Sequence, residues 1–220
     1  MYLREAIAKI AGFRYMIDHL EIHSGLGRSS LLDRVWLEDA KQIKAELERV
    51  EKMVRVVRDS RNQVVLERLK VKLSQVKDIR GTVKRLKEPV VLDDLELFEL
   101  KNLAFVAEDI REIIKDYPVV DIPCLGNLVD LLDPEQNRIP HFYIYDSYSE
   151  KLSALRAEIK QKKREGREER EIENLYFQSL EEEDRVRAEL TLQIRMLREE
   201  IAETLRAVAY FCLLYTSDAA

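Results

Sequence analysis

The sequence predicts an all-α fold, a helical core bundle carrying a long antiparallel helical hairpin, on three observations. Only 6 Gly and 5 Pro occur in 220 residues, so turns are few. Four of the five prolines, Pro118, Pro123, Pro134 and Pro140, fall in one stretch between Tyr117 and Tyr145. Elsewhere apolar residues recur at three- and four-residue spacing among charged ones, the pattern of a helix with one buried face.

Each element follows from that spacing. About residues 2–23 form a first helix, with Ile7, Ile10, Ala11, Phe13 or Arg14, Ile17 and Leu20 on one stripe and Ser24-Gly-Leu-Gly27 ending it. A second, about 30–57, carries Leu31, Val35, Ile43, Leu47, Val50, Val54 and Val57. A third, about 62–86, carries Val65, Leu69, Leu73, Val76, Ile79, Val83 and Leu86, nearly a heptad seam, with Gly81 as a candidate kink. Pro89 stops it. A fourth runs from Leu92 to about Asp116 with Leu97, Leu100, Ala104, Val106 or Ala107, Ile110 and Ile114 inward.

The proline-rich stretch leaves room for one short helix over about 124–132 and an extended piece at 141–145. Ser147 with Glu150 fits a capping box at the start of the next helix. No proline follows. Leu152, Leu155 and Ile159 line an outgoing arm, Leu190, Ile194, Leu197, Ile201, Leu205 and Val208 a returning one, and Gly166 marks the tip between them. A single unbroken helix is the competing picture. The expected organisation is a core domain over 1–145, a hairpin over 146–211 with its tip near 166, and a foreign tail over 212–220.

That tail, Cys212-Leu-Leu-Tyr-Thr-Ser-Asp-Ala-Ala220, back-translates into the transposase adaptor used in short-read sequencing. The expectation is therefore that the natural gene continues past Phe211. A second insertion-like string, Glu173-Asn-Leu-Tyr-Phe-Gln-Ser179, is identical to the recognition site of the tobacco etch virus protease. It lies inside a charged helical run with no tag beside it, and coincidence is the simpler reading.

Composition excludes several classes. No apolar run approaches the ~20 residues that cross a bilayer, and the start is amphipathic rather than a signal core. Two Cys, Cys124 and Cys212, build neither a disulfide framework nor a zinc site, so a reduced cytoplasmic compartment is expected and Cys124 is read as a small buried residue. The net charge of −5 is unevenly spread. Residues 41–88 hold 15 basic and 7 acidic side chains, and 89–150 hold 4 and 14, which suits internal pairing or a local polyanion contact.

No phosphate loop, H-E-x-x-H, G-x-S-x-G or paired Cys-x-x-Cys occurs, so no catalytic, cofactor-binding or metal residue is assigned. His19 and His23, one helical turn apart, read as a helix-end pair rather than metal ligands. Asp93, Asp94 and Glu96 read as first-turn carboxylates favoured by the helix dipole. Tyr143, Tyr145 and Tyr148 read as packing aromatics rather than a base-stacking platform. The best candidates for touching a phosphate backbone are Lys160, Lys162, Lys163, Arg164 and Arg167 at the hairpin tip, although Glu165, Glu168 and Glu169 beside them equally suit a solvated tip.

Three places together resemble the helical core and lever of the MutS family of DNA mismatch-repair ATPases. The first is Ser24, Gly27, Leu31-Leu32 and Trp36-Leu37, with two more residues between Gly and Trp than the usual pattern. The second, Leu73-x-x-Val76-x-Asp78-Ile79-x-x-x-Val83-x-Arg85-Leu86, matches the family's L-x-x-I-x-D-L-x-x-x-L-x-R-L spacing. The third, Leu131-Leu-Asp-Pro-Glu135 followed by Asp146-Ser-Tyr-Ser149-Glu-Lys-Leu152-Ser-Ala-Leu-Arg156, is similar to the start of the lever helix in MutS-like proteins without a mismatch-reading domain.

The resemblance implies double-stranded DNA as the partner, homodimerisation through an ATPase domain after Phe211, and ATP with Mg²⁺ bound in that domain rather than here. It also implies that the lever transmits nucleotide-dependent motion to DNA. None of the six Phe is followed by Glu two residues on, so the mismatch-reading wedge is missing, and the sequence between the arms is too short for the usual clamp. Two other readings stand beside it: a helical scaffold whose coiled arms bind a protein, and a MutS-like role in recombination control or ribosome surveillance.

Overall fold

The computed structural model is all-α, 73% helical in 11 α-helices without strands among the described residues. The residues it describes are 2–117 and 119–216, the side chain of Thr216 excepted. Pro118 and the last four residues of the expected foreign tail lie outside them. The chain forms two compact units: Met1–Arg80, Leu103–Leu125 and Glu200–Ala220 in the first, and Gly81–Asn102 and Gly126–Glu199 in the second.

The first unit begins with α1 (Leu3–Lys9) and α2 (Ala11–Asp18), where the stripe predicts one continuous helix. Ile10 takes an extended backbone conformation and breaks it. Little is buried along this stretch, Ala6 alone in α1 and no residue in α2, so packing does not hold the helix straight across the break. His19 follows α2 with Nδ1 2.7 Å from the Tyr15 carbonyl. His23 lies beyond the helix against the Tyr215 ring, so the two histidines do not share one helical face. Ser24 does not end a helix but caps the next one, accepting from the Gly27 N–H at 2.9 Å, and α3 runs Gly25–Leu32.

Gly27 is there because nothing larger fits. A Cβ at that position would stand 2.9 Å from Ser24 Oγ and 3.0 Å from Ile22 Cγ2. The apolar pattern of the second predicted helix is interrupted at 33–39, after which Asp39 caps α4 (Ala40–Arg58). The inward residue of α4 is Met53, while Ile43 and Leu47 remain exposed.

The heptad seam of the third predicted helix does bury Leu69, Leu73, Val76, Ile79 and Leu86, yet the helix is split into α5 (Gln63–Ser74) and α6 (Arg80–Arg85). Asp78 explains the split. Its carboxylate accepts the Arg80 N–H at 3.3 Å and the guanidinium at 2.8 and 2.7 Å, so it opens a new helix in place of continuing the old one. Next, α7 (Asp94–Ile113) places residues 94–102 in the second unit and 103–113 in the first. Cys124 is exposed, contrary to the expectation, because Ile122 and Leu125 take the inward positions beside it.

In the second unit the start of α7 is closed by a reciprocal pair, Asp93 N–H to Glu96 Oε2 at 3.0 Å and Glu96 N–H to Asp93 Oδ1 at 2.8 Å. The short helix α8 spans Gly126–Leu132. Residues 141–145 belong to no helix or strand, and Tyr145 has an extended backbone. Ser147 lies in a 3-10 turn, and the cap of α9 (Glu150–Glu165) is Ser149, two residues on from the expected one. The returning arm is α10 (Glu169–Met196).

At Gly166, φ is 66°, a left-handed conformation that lets α9 end with Arg167 N–H bonded to the Lys162 carbonyl at 3.1 Å. Leu155, Ile159 and Leu175, with Ile172 against them, form the hairpin's own apolar cluster. The returning arm ends at Leu197, and α11 (Arg198–Thr216) belongs almost wholly to the first unit. Residues 212–216 of the expected foreign tail continue α11, with Cys212 and Leu214 buried and Tyr215 Oη donating to the Leu66 carbonyl at 3.1 Å.

Candidate functional site

The base of the hairpin gathers the third motif into one network. Ser149 Oγ accepts from the Leu152 N–H at 3.2 Å and donates to Glu182 Oε1 at 2.7 Å, so a single hydroxyl caps α9 and holds α10. Leu152 is fully buried beneath it. Arg156 donates to the Ile144 carbonyl at 2.8 Å, to Asp146, and through its other nitrogen to Glu183 Oε1 at 2.9 Å. Asp146, Ser149, Leu152 and Arg156 thus tie the turn before α9, α9 itself and α10 together.

Glu182 is the acidic centre of this network. It is 2% exposed, and Arg185 donates to it at 3.0 and 2.5 Å, with Lys151 at 3.2 Å. Hydrogen bonding to the Arg185 guanidinium, then to Ser149, holds its carboxyl at about 2, below the ordinary 4.5. A depressed folded-state value stabilises the fold above the unfolded value and loses that stabilisation as pH falls toward the folded one. Glu182→Gln is therefore expected to be less stable than the parent above pH 4.5, with the gap closing between 4.5 and about 2. Denaturant unfolding of both chains across that range checks it.

The tip residues are brought together but are mostly engaged. Lys162 reaches Glu158 at 3.4 Å and Glu171 at 3.3 Å. Lys163 donates to Tyr176 Oη and lies 4.8 Å from that ring's centroid. Arg167 Nε stands 3.4 Å from Glu165. Lys160 lines a groove between α9 and α10. Between Glu158 and Glu173 the six basic side chains, Arg164 among them, are balanced by six acidic ones.

The remaining motif residues are scattered, Gly27 and Leu86 buried and Trp36 and Arg85 exposed. Arg85 pairs with Glu96 at 3.1 Å, and Leu86 is buried. Asp78 accepts the N–H of Arg80, the first residue of α6, and the Arg80 guanidinium bonded to it holds its carboxyl below the usual carboxylate range. In the first unit Leu31 and Trp36 line an apolar cavity of about 470 Å³ with Leu3, Val35, Ile43 and Leu214. Its polar edge is Glu46, which accepts from Tyr210 Oη at 2.7 Å, while the Arg34 and Arg49 guanidinium groups lie 5.0 and 5.9 Å from the Tyr210 ring centroid. Burial, then the bond to Glu46, pushes the Tyr210 hydroxyl up to about 12.

Tyr143, Tyr145 and Tyr148 pack on one another, centroids 4.2 and 5.7 Å apart, and Tyr148 Oη donates to the Leu131 carbonyl at 2.8 Å. Burial pushes the Tyr148 hydroxyl well above its ordinary range.

One constellation escaped sequence reasoning. Lys101 and Asp133, each 1% exposed, pair at 2.9 Å, and Lys101 also donates to Tyr145 Oη at 2.9 Å and the His141 carbonyl at 3.4 Å. Asp133 Oδ2 accepts the Arg138 N–H at 2.9 Å. The available signal was Lys101 itself, four residues after Leu97 and three before Ala104, a cation inside an apolar arc.

No group of three metal-ligating side chains occurs among the described residues, and none of their helices is long and apolar enough to cross a membrane. No protein-family model matches this chain, and no curated protein matches it.

Proposed function

We propose that this chain is the helical core and lever segment of a MutS-like DNA-binding ATPase working in the cytoplasm. What supports the reading is the hairpin base. The residues that resemble the start of a lever helix, Asp146, Ser149, Leu152 and Arg156, act as one connected lock between α9 and α10. A part that passes motion along its length needs its two arms fixed to each other at the root, and this lock does that. ATP and Mg²⁺ belong to an ATPase domain outside these residues, which contain no phosphate loop. The same domain would hold the homodimer together.

The test is the genomic sequence beyond Phe211. A phosphate loop downstream supports the reading, and an early stop codon overturns it in favour of a helical interaction module.

Contact with double-stranded DNA falls to the tip in this proposal. Its ion pairs are screened by solvent, so Lys162 can leave Glu158 and Glu171 for a phosphate at small cost. With two or three cations engaged, log K is expected to fall with log salt at a slope of roughly −2 to −3. Fluorescence anisotropy on a duplex should show that slope, and K162E/K163E/R164E should abolish binding. Unchanged binding by the triple variant removes the tip as the contact.

A further inference from the structure

One face of the hairpin is unfinished. Between α9 and α10 runs a groove of about 400 Å³ whose apolar parts are Ile159, Tyr176 and Leu180, and it continues toward the tip past Lys163 and Tyr176 into a second hollow of about 920 Å³. Ile159 forms its floor at 7% exposure, whereas Tyr176 and Leu180 stand 42% and 53% exposed on its wall. Apolar residues one helical turn apart beside a furrow between two helices are what a third helix packs into.

The charges on the two walls are segregated. Helix α9 carries six basic and three acidic side chains, and α10 carries four basic and eight acidic. Along the groove α9 presents Arg156, Lys160 and Lys163, and α10 presents Glu169, Glu173 and Glu183 with Arg170 as its one basic side chain, so that wall is acidic on balance. A surface that is basic along one edge and acidic along the other, with an apolar seam between, is complementary to itself after a half-turn.

We propose that this groove docks a second copy of the chain, hairpin against hairpin. The charge pattern fixes the symmetry. A two-fold axis running along the hairpins sets each α9 against the partner's α10, with the two tips at the same end, so basic edge meets acidic edge twice. An axis across the hairpins would set α9 on α9 and α10 on α10, like against like. The contact is isologous, and Tyr176 and Leu180 of each copy fill the furrow beside Ile159 of the other. It concerns α9 and α10 alone and stands apart from any pairing through an ATPase domain.

Sedimentation equilibrium on the 220-residue chain tests it with two charge-reversal variants. K160E/K163E makes both edges acidic, and E169K/E173K makes both basic. Each alone is expected to weaken dimerisation by about 100-fold, and an equimolar mixture is expected to restore it as a heterodimer. Far-UV circular dichroism shows that each variant retains its helices. A wild-type chain that stays monomeric overturns the proposal. So does a dimer indifferent to both variants, which would place association elsewhere, as on the apolar cavity beside Trp36. Two folded monomeric variants that fail to pair when mixed overturn it as well.

Discussion

Replacing Lys101 with methionine is expected to cost about 3–5 kcal/mol of unfolding free energy, more than other single substitutions away from the apolar core. Methionine matches the length and apolar stem of lysine, so little packing is lost. What is lost is the cation facing a 1%-exposed Asp133. The carboxylate would keep the Arg138 N–H at 2.9 Å but lose the ammonium that pairs with it, and a buried charge deprived of its counter-ion is costly. Tyr145 Oη and the His141 carbonyl would lose a donor at the same time.

The companion variant, Lys101→Met with Asp133→Asn, removes the stranded charge while leaving an acceptor for Arg138. It is expected to recover about 1–3 kcal/mol of the loss. Urea denaturation of the three chains decides. A cost below about 1 kcal/mol for Lys101→Met would mean that water reaches Asp133 and that the pair is not a buried one.

The second large effect concerns Glu173-Asn-Leu-Tyr-Phe-Gln-Ser179. A protease reads such a heptapeptide in extended form, and here the whole string lies within α10 with Leu175 and Ser179 buried. Cleavage after Gln178 therefore waits for the first turns of α10 to unwind and leave Leu155 and Ile159. If that local opening costs about 4 kcal/mol, tobacco etch virus protease should cut the folded chain about 1,000-fold more slowly than the same heptapeptide in a flexible linker. The rate should rise with urea well below the global unfolding midpoint. Cutting at the linker rate in plain buffer would mean that α10 is frayed as far as Ser179, and the hairpin docking surface would fail with it.

How far the sequence reveals this molecule depends on what each residue had to contend with. Spacing alone identifies Leu69, Leu73, Val76, Ile79 and Leu86 as buried, because those positions face inward whether or not the helix is continuous, whereas Val65 and Val83 of the same seam are half-buried. It misses the break at 75–79, where a single side chain, Asp78, bonds the backbone ahead of it and outweighs a helical propensity that is weak per residue. The same competition moved the cap of α9. Ser147 and Ser149 both have hydroxyls suited to the role, and Ser149 is chosen because Glu182, 33 residues further on, accepts from it.

The first helix was over-read because a 3.6 period reports which face is apolar, not whether anything lies against it. At the hairpin the positions of Lys160, Lys162, Lys163, Arg164 and Arg167 are plain in the sequence, but their engagement is not. Pairing across a turn, as between Lys162 and Glu171, becomes visible only when the two arms are laid side by side. Lys101 and Asp133 are the extreme case, two charges 32 residues apart whose burial nothing local announces.

The connection at Gly166 also bears on how the chain acquires its structure. Three residues, 166–168, join α9 to α10, so the arms meet through contacts that are close in sequence, and little chain entropy opposes their closure. Topologies dominated by such short-range contacts are the quick ones, with helical hairpins reaching their packed state on a scale of about microseconds to milliseconds. Residues 150–196 are thus expected to zip up early and serve as a nucleus. In the first unit, by contrast, 1–80 must wait for 103–125 and 200–220 to be brought in from far along the chain. The left-handed glycine that permits so short a turn therefore influences the order of events during folding as well as the final shape of the tip.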